Sequence, residues 1–167
     1  MDENVLFLDL TDAGPGAARR ALDALRHEDA EHRIALREAT VIARDTDGNV
    51  TFPESEDHTG TARGFAVGGL LGGLVGLLGG PLGALAGFGA GGLLGGVHDA
   101  RRASADNAAV DMLAAEVPPG RTVLVAEVSE PARGPADAAL AGLGPEIVRY
   151  PAAEVRQQVE ELIAESR

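Results

Sequence analysis

Apolar residues recur along this chain at spacings that change from stretch to stretch, and each spacing predicts a different element. Residues 5–10, with Val5, Phe7 and Leu8, form a short apolar run with β-branched and aromatic members, which predicts a strand. Thr11 and Asp12 then offer capping side chains, and Pro15 stands where the first turn of a helix tolerates it. Ala18, Ala21, Leu22 and Leu25 follow at helical spacing, predicting an amphipathic helix to about Glu28. Residues 40–44 read as a second strand, which Asp47-Gly48 turns back into a third at residues 50–52. Further on, Val110, Leu113, Ala114 and Val117 mark a helix that Pro118-Pro119-Gly120 stops. Residues 122–128 carry the strongest strand pattern in the chain. An alanine-rich helix near residues 135–143 and a strand at residues 147–150 follow. Pro151 opens a last helix with Val155, Val159, Leu162 and Ile163 on one face.

The pattern breaks completely in the middle. Residues 64–97 hold no charged or hydrogen-bonding side chain, and 15 of these 34 residues are glycine. Gly64, Gly68, Gly72, Gly76 and Gly80 fall four apart, and after Pro81 the spacing resumes at Gly83, Gly87, Gly91 and Gly95. Residues four apart share one face of a helix, so each half would carry a smooth glycine stripe. Such a stripe lets a second backbone approach closely, as in membrane helix pairs of the G-x-x-x-G type. Two helices over residues 64–79 and 82–97, turned by Gly80 and Pro81, are therefore expected.

Without that stretch the order is strand, helix, strand, strand, helix, strand, with a helix, strand and helix added. The first six elements match a ferredoxin-like plait, an antiparallel sheet covered by helices on one side. The expected fold is thus α+β: a ferredoxin-like plait with an inserted glycine-rich apolar helical hairpin between the third strand and the second helix. Residues 1–63 supply the first half of the body, residues 64–97 the hairpin, and residues 98–167 the second half with the C-terminal helix.

Composition narrows the function. The chain has 167 residues, enough for one ordinary domain or a small domain with an insertion. Its 14 basic and 26 acidic residues give a net charge of −12, which argues against sequence-independent nucleic-acid binding. Every basic residue is arginine, and the abundance of alanine and glycine fits a GC-rich bacterial genome. Cysteine is absent, which excludes disulfides and thiolate metal sites, and aromatic residues are too sparse for stacking platforms. The acidic start Met1-Asp2-Glu3-Asn4 does not look like a secretory signal, so the polar parts are expected in the cytoplasm.

Several pieces, in order, resemble a bacterial domain-of-unknown-function family of uncharacterised small membrane proteins, and more distantly the general-stress-protein domain. They are Ala21-Leu22-Asp23-Ala24-Leu25, Ala39-Thr40-Val41-Ile42-Ala43-Arg44-Asp45-Thr46-Asp47-Gly48, the glycine zipper, and Pro118-Pro119-Gly120-Arg121-Thr122-Val123-Leu124-Val125. The resemblance implies a ferredoxin-like body carrying a glycine-rich apolar hairpin, and it brings no catalytic residues. This chain is richer in glycine and poorer in aromatics within the hairpin than commoner members.

Three roles are open to the glycine segment. As a membrane hairpin, each helix would be roughly 24 Å long at about 1.5 Å per residue, somewhat short for a hydrocarbon core of about 30 Å. Thinning or oligomerisation accommodates such a mismatch. Arg63 before it and Arg101-Arg102 after it would sit on one cytoplasmic face. As a soluble assembly, the helices would pack against other copies through Leu70, Leu71, Leu74, Val75, Leu77 and Leu78. Glycine costs about 1 kcal/mol per residue in a helix interior, so such helices need a membrane or neighbours. A flexible linker is the blandest role, but linkers are polar, and this stretch has leucine and valine and no serine.

Other motifs are weaker. Gly14-Pro15-Gly16 follows a strand and opens a helix, but Arg19 replaces the third glycine of a phosphate-binding turn, leaving a capped helix start. His27-Glu28 with His32 has histidines five apart, on different helical faces, and reads as a solvated helix end rather than a zinc motif. Glu54, Glu56, Asp57 and His58 form an acidic loop without the spacing of a calcium site. His98 would approach His58 across an antiparallel hairpin, a candidate pH-sensitive contact beside the plainer reading of interfacial histidines. No constellation supports an enzyme, a cofactor or a metal.

The expected protein is therefore a non-enzymatic structural protein on the cytoplasmic side of the bacterial inner membrane. It would homo-oligomerise through Gly64, Gly68, Gly72, Gly76, Gly83, Gly87, Gly91 and Gly95, with itself and the lipid membrane as partners and no nucleic acid or identifiable small-molecule substrate. Two alternatives stand beside it: a soluble compartment or filament built on the same hairpin, and a small-ligand-binding regulatory module that the hairpin anchors.

Overall fold

The computed structural model describes residues 2–53, 112–113 and 115–165. The elements are β1 (Asp2–Asp9), α1 (Ala17–Ala30), β2 (Ala35–Arg44), β3 (Val50–Thr51), β4 (Thr122–Glu130), α2 (Gly134–Leu140), β5 (Ile147–Pro151) and α3 (Ala152–Glu165). All five strands form one antiparallel sheet in the order β3-β2-β4-β1-β5. Helical residues Met112, Leu113, Ala115 and Glu116 precede the Pro118-Pro119-Gly120 stop, where Gly120 takes φ 84° to turn the chain into β4.

The two central strands explain the layering. Val5-Leu6-Phe7-Leu8 in β1 and Val123-Leu124-Val125-Ala126 in β4 are apolar at every position, the mark of strands covered on both faces. Alternation sends Val5, Phe7, Val123 and Val125 to one face, where they meet Ala152, Val155 and Val159 of α3 together with Met112, Leu113 and Val117. Leu6, Leu8, Leu124 and Ala126 go to the other face, under Leu22 and Leu25 of α1 and Ala136 and Leu140 of α2. Each fully buried leucine or phenylalanine contributes about 1.5–3 kcal/mol relative to exposure. The expectation of helices on one side is thus corrected. The uninterrupted apolar runs require cover on both.

The pairing also distributes the strands differently from the six-element grouping. Residues 50–52 were to be the third strand of the plait, but β3 pairs only with Ala43 and Arg44 of β2. It is β4 that lies between β2 and β1, in register from Asp2↔Glu130 to Asp9↔Val123 on one side and from Ala35↔Ser129 to Ala43↔Thr122 on the other. Proline limits β3. Asp45 N–H donates to the Asn49 carbonyl at 2.9 Å, which fixes the hydrogen-bonded positions of this ladder. Two pairs further along, Pro53 would face Val41, and having no N–H it cannot continue the ladder.

The Asp47-Gly48 turn forms as expected, with Gly48 at φ 92°. Its organiser is Asp45, whose carboxylate accepts from the backbone N–H groups of Asp47 (2.9 Å) and Asn49 (2.8 Å) and from Asn49 Nδ2 (2.9 Å). These bonds, led by the Asn49 side chain, hold the Asp45 carboxyl below its ordinary range. The start of α1 differs from its expected cap. Gly16 occupies the N-cap in the left-handed region at φ 77°, without a side-chain cap. Thr11 is used elsewhere: its Oγ1 accepts from the Thr122 N–H at 3.0 Å, tying the end of β1 to the start of β4.

Candidate functional site

The place where the chain leaves the body toward the glycine segment and returns from it is built by β2, β3 and β5. Val50 and Phe52 pack against the cluster containing Met112, Leu113 and Val117, so the departing and returning chain meet on one face of the sheet. Two polar clasps hold the return. Buried Arg44 donates from Nη1 to the Val117 carbonyl at 3.0 Å, and burial lowers its guanidinium pKa. From the opposite edge of the sheet, Tyr150 Oη donates to Glu116 Oε1 at 2.9 Å. The Tyr150 ring stands edge-on to Phe7, with centroids 5.7 Å apart. Burial first, and then the Glu116 carboxylate, push the phenol up to about 12, so it remains a donor at neutral pH.

A second polar cluster lies at the far end of β4. The Glu130 side chain is 2 % exposed and that of Arg149 is 9 % exposed, and they meet at 2.7 Å between Oε1 and Nε. Arg149 Nη2 reaches Asp137 Oδ1 of α2 at 2.7 Å. Burial alone would lower the Arg149 guanidinium, but the Glu130 and Asp137 carboxylates outweigh it and hold it above its ordinary value. On the opposite face, Glu127 is buried and accepts from Arg156 Nη2 of α3 at 2.7 Å. Two clusters of fixed charge thus join α2 and α3 to the sheet, one on each face.

Sequence reasoning missed both clusters, although a signal was present. In the run Val125-Ala126-Glu127-Val128-Ser129-Glu130, carboxylates occupy positions that the alternation assigns to covered faces. A charge there requires a partner. The spacing of one strand cannot name partners that are 29 and 19 residues away.

The expected solvated helix end holds for His27 and His32 but not for Glu28. Glu28 is buried, and Arg33 grips it at both oxygens, at 2.6 Å from Nε and 2.8 Å from Nη2. That grip, led by the hydrogen bonds, depresses the Glu28 carboxyl. His27 and His32 are exposed, and His32 takes φ 57° in the turn that Arg33 closes. Gly14-Pro15-Gly16 opens α1, with Arg20 donating to the Pro15 carbonyl at 2.9 Å.

The glycines Gly64, Gly68, Gly72, Gly76, Gly83, Gly87, Gly91 and Gly95, the turn at Gly80 and Pro81, the acidic loop at Glu54, Glu56, Asp57 and His58, and His98 lie outside the described residues. Among the described residues, no helix is long and apolar enough to cross a membrane. No group of three histidines or carboxylates there is placed to hold a metal ion. An open cleft lined by Asp2, Asn4, Glu130, Arg133 and Pro151 lies above the Arg149 cluster, where the Glu130 carboxylate is already engaged. Among the described residues, carboxylates are paired to arginines across elements. The chain matches no protein-family model, no curated protein and no solved structure.

Proposed function

We propose that the chain is a non-enzymatic, membrane-associated structural protein that homo-oligomerises through its glycine segment, residues 64–97, while an α/β body remains on the cytoplasmic side. The observation that carries this is the meeting of Phe52 and Met112 in one hydrophobic cluster. β2 pairs directly with β4, and the described chain on either side of the glycine segment belongs to one hydrophobic cluster on one face of the sheet. A segment rich in glycine and leucine needs lipid or other copies to cover it.

We read the body as a ferredoxin-like plait. The order β2-β4-β1-β5 with α1 and α2 on one face supports this, with β3, the helical residues before Pro118 and α3 as additions. It is the body that the family resemblance implies. Fractionation without detergent tests the membrane role, and the chain is expected to pellet with membranes. A large soluble particle would favour the second role, a soluble assembly that the short helix length also suits. A soluble monomer would overturn both.

A further inference from the structure

An apolar row and an ion pair among the described residues attach helix α3 to the sheet. Ala152, Val155 and Val159 supply the row, and Arg156 supplies the pair by reaching Glu127. On β4, Glu127 continues the series Val123 and Val125, so it occupies the core-facing row under α3. It is 5 % exposed. Its direct cross-strand neighbour on β2 is Glu38, a second carboxylate. On β1 the opposite residue is Val5, which leaves Glu3 diagonal to Glu127. Like charges opposite each other in a sheet destabilise it, and diagonal neighbours still interact. Arg37 stands at the bulge of β2 and is drawn to Glu3 at 2.8 Å. The groups facing Glu127 are therefore Glu3, Glu38 and Arg37 from the sheet and Arg156 from α3.

We propose that α3 is a proton-linked flap, held more tightly when Glu127, wedged beneath it between Glu38 and Arg156, carries a proton. The ionised side chain under the docked helix lacks water and faces a second carboxylate, and the half-exposed Arg156, with Arg37, compensates only in part. Lifting α3 returns Glu127 to solvent and relieves both costs. Burial, ahead of the opposing pull of Arg156, sets the Glu127 carboxyl above its ordinary value. The sign follows from linkage. The docked form binds the proton more strongly than the open form, so docking is strongest below the ordinary carboxylate range. It weakens as pH rises through the docked value, then levels off. The row that α3 covers includes Val5 and Phe7, in the same cluster as Phe52 and Met112. Proton uptake therefore acts on the face that holds Phe52 and Met112, the described residues on either side of the glycine segment.

Hydrogen exchange of the full-length chain at pH 5 and pH 8, corrected for intrinsic exchange rates, tests this. Protection of the α3 amides is expected to be severalfold greater at pH 5 than at pH 8, because docking is linked to proton uptake. Glu127→Gln should remove the dependence, Glu38→Gln should reduce it, and Arg156→Met should steepen it. Protection independent of pH in the parent chain would overturn the proposal. So would a dependence that survives Glu127→Gln, or, should that variant not fold, one that Glu38→Gln and Arg156→Met leave unchanged.

Discussion

Replacing Arg149 by Met is expected to destabilise the body by about 3–5 kcal/mol, the range for removing one partner from a buried ion pair. The substitution keeps most of the side-chain volume but strands the Glu130 carboxylate, whose side chain is 2 % exposed. The remaining neighbour, Asn4 Nδ2, donates to it only at 3.5 Å. Asp137 contributes less to the loss, because its side chain is 50 % exposed and water replaces the arginine there. The double variant Arg149→Met with Glu130→Met removes both charges together and is expected to recover most of the loss. A buried pair replaced by apolar groups of similar size is often neutral or better. Urea midpoints at unchanged slope read the result. A single-variant loss below about 1 kcal/mol would place this pair with surface salt bridges and remove it from the forces that dock α2.

Gly144→Ala is expected to cost about 3 kcal/mol, at the upper end of overpacking penalties. A Cβ at Gly144 would run into the backbone carbonyl oxygen of Asp9 and lie 2.6 Å from Leu8 Cδ1. The obstacle is main chain in a central strand, so it cannot swing aside as a flexible side chain would. Leu8 is itself 1 % exposed. Two other glycines calibrate the measurement. Gly134 opens α2 with nothing within 4 Å of an added Cβ, so alanine there should be neutral or stabilising by up to about 1 kcal/mol. Gly142 is equally open but sits at φ +80°, so alanine should cost about 1–2 kcal/mol from backbone strain alone. An effect at Gly144 no larger than that at Gly142 would mean that the α2–β5 loop does not press against β1 as described.

Much of this architecture is visible in the residue pattern, and the gaps have physical causes. The alternating and continuous apolar runs of β1, β4 and β5 mark strands because their burial depends on local spacing. The first half of β2 is hidden for the opposite reason. Ala35-Leu36-Arg37-Glu38-Ala39 is made of good helix formers, and only the pairing with β4 holds them extended. The bulge between Leu36 and Glu38 leaves no mark in composition. Thr11 looks like a helix cap because the sequence does not reveal that Thr122 will present its N–H to it. The ion pairs Glu130–Arg149 and Glu127–Arg156 join separate elements, so their acids are legible in β4 and their partners are not. Of the proposed self-association surface, the sequence supplies the glycine stripe, and the fold supplies only the cluster with Phe52 and Met112 on either side of it.

Self-association through that stripe is tested most directly by sizing the full chain beside the double variant Gly72→Leu with Gly91→Leu, prepared without detergent. Each leucine places a branched side chain where a partner backbone is to approach, one in each half of the segment. Both residues lie outside the described residues of the α/β body, and on the proposed role the urea midpoint of that body should not change. The expected result is a large assembly for the parent chain and a much smaller species for the variant, with the body equally stable in both. An assembly of the same size in the double variant would contradict the account.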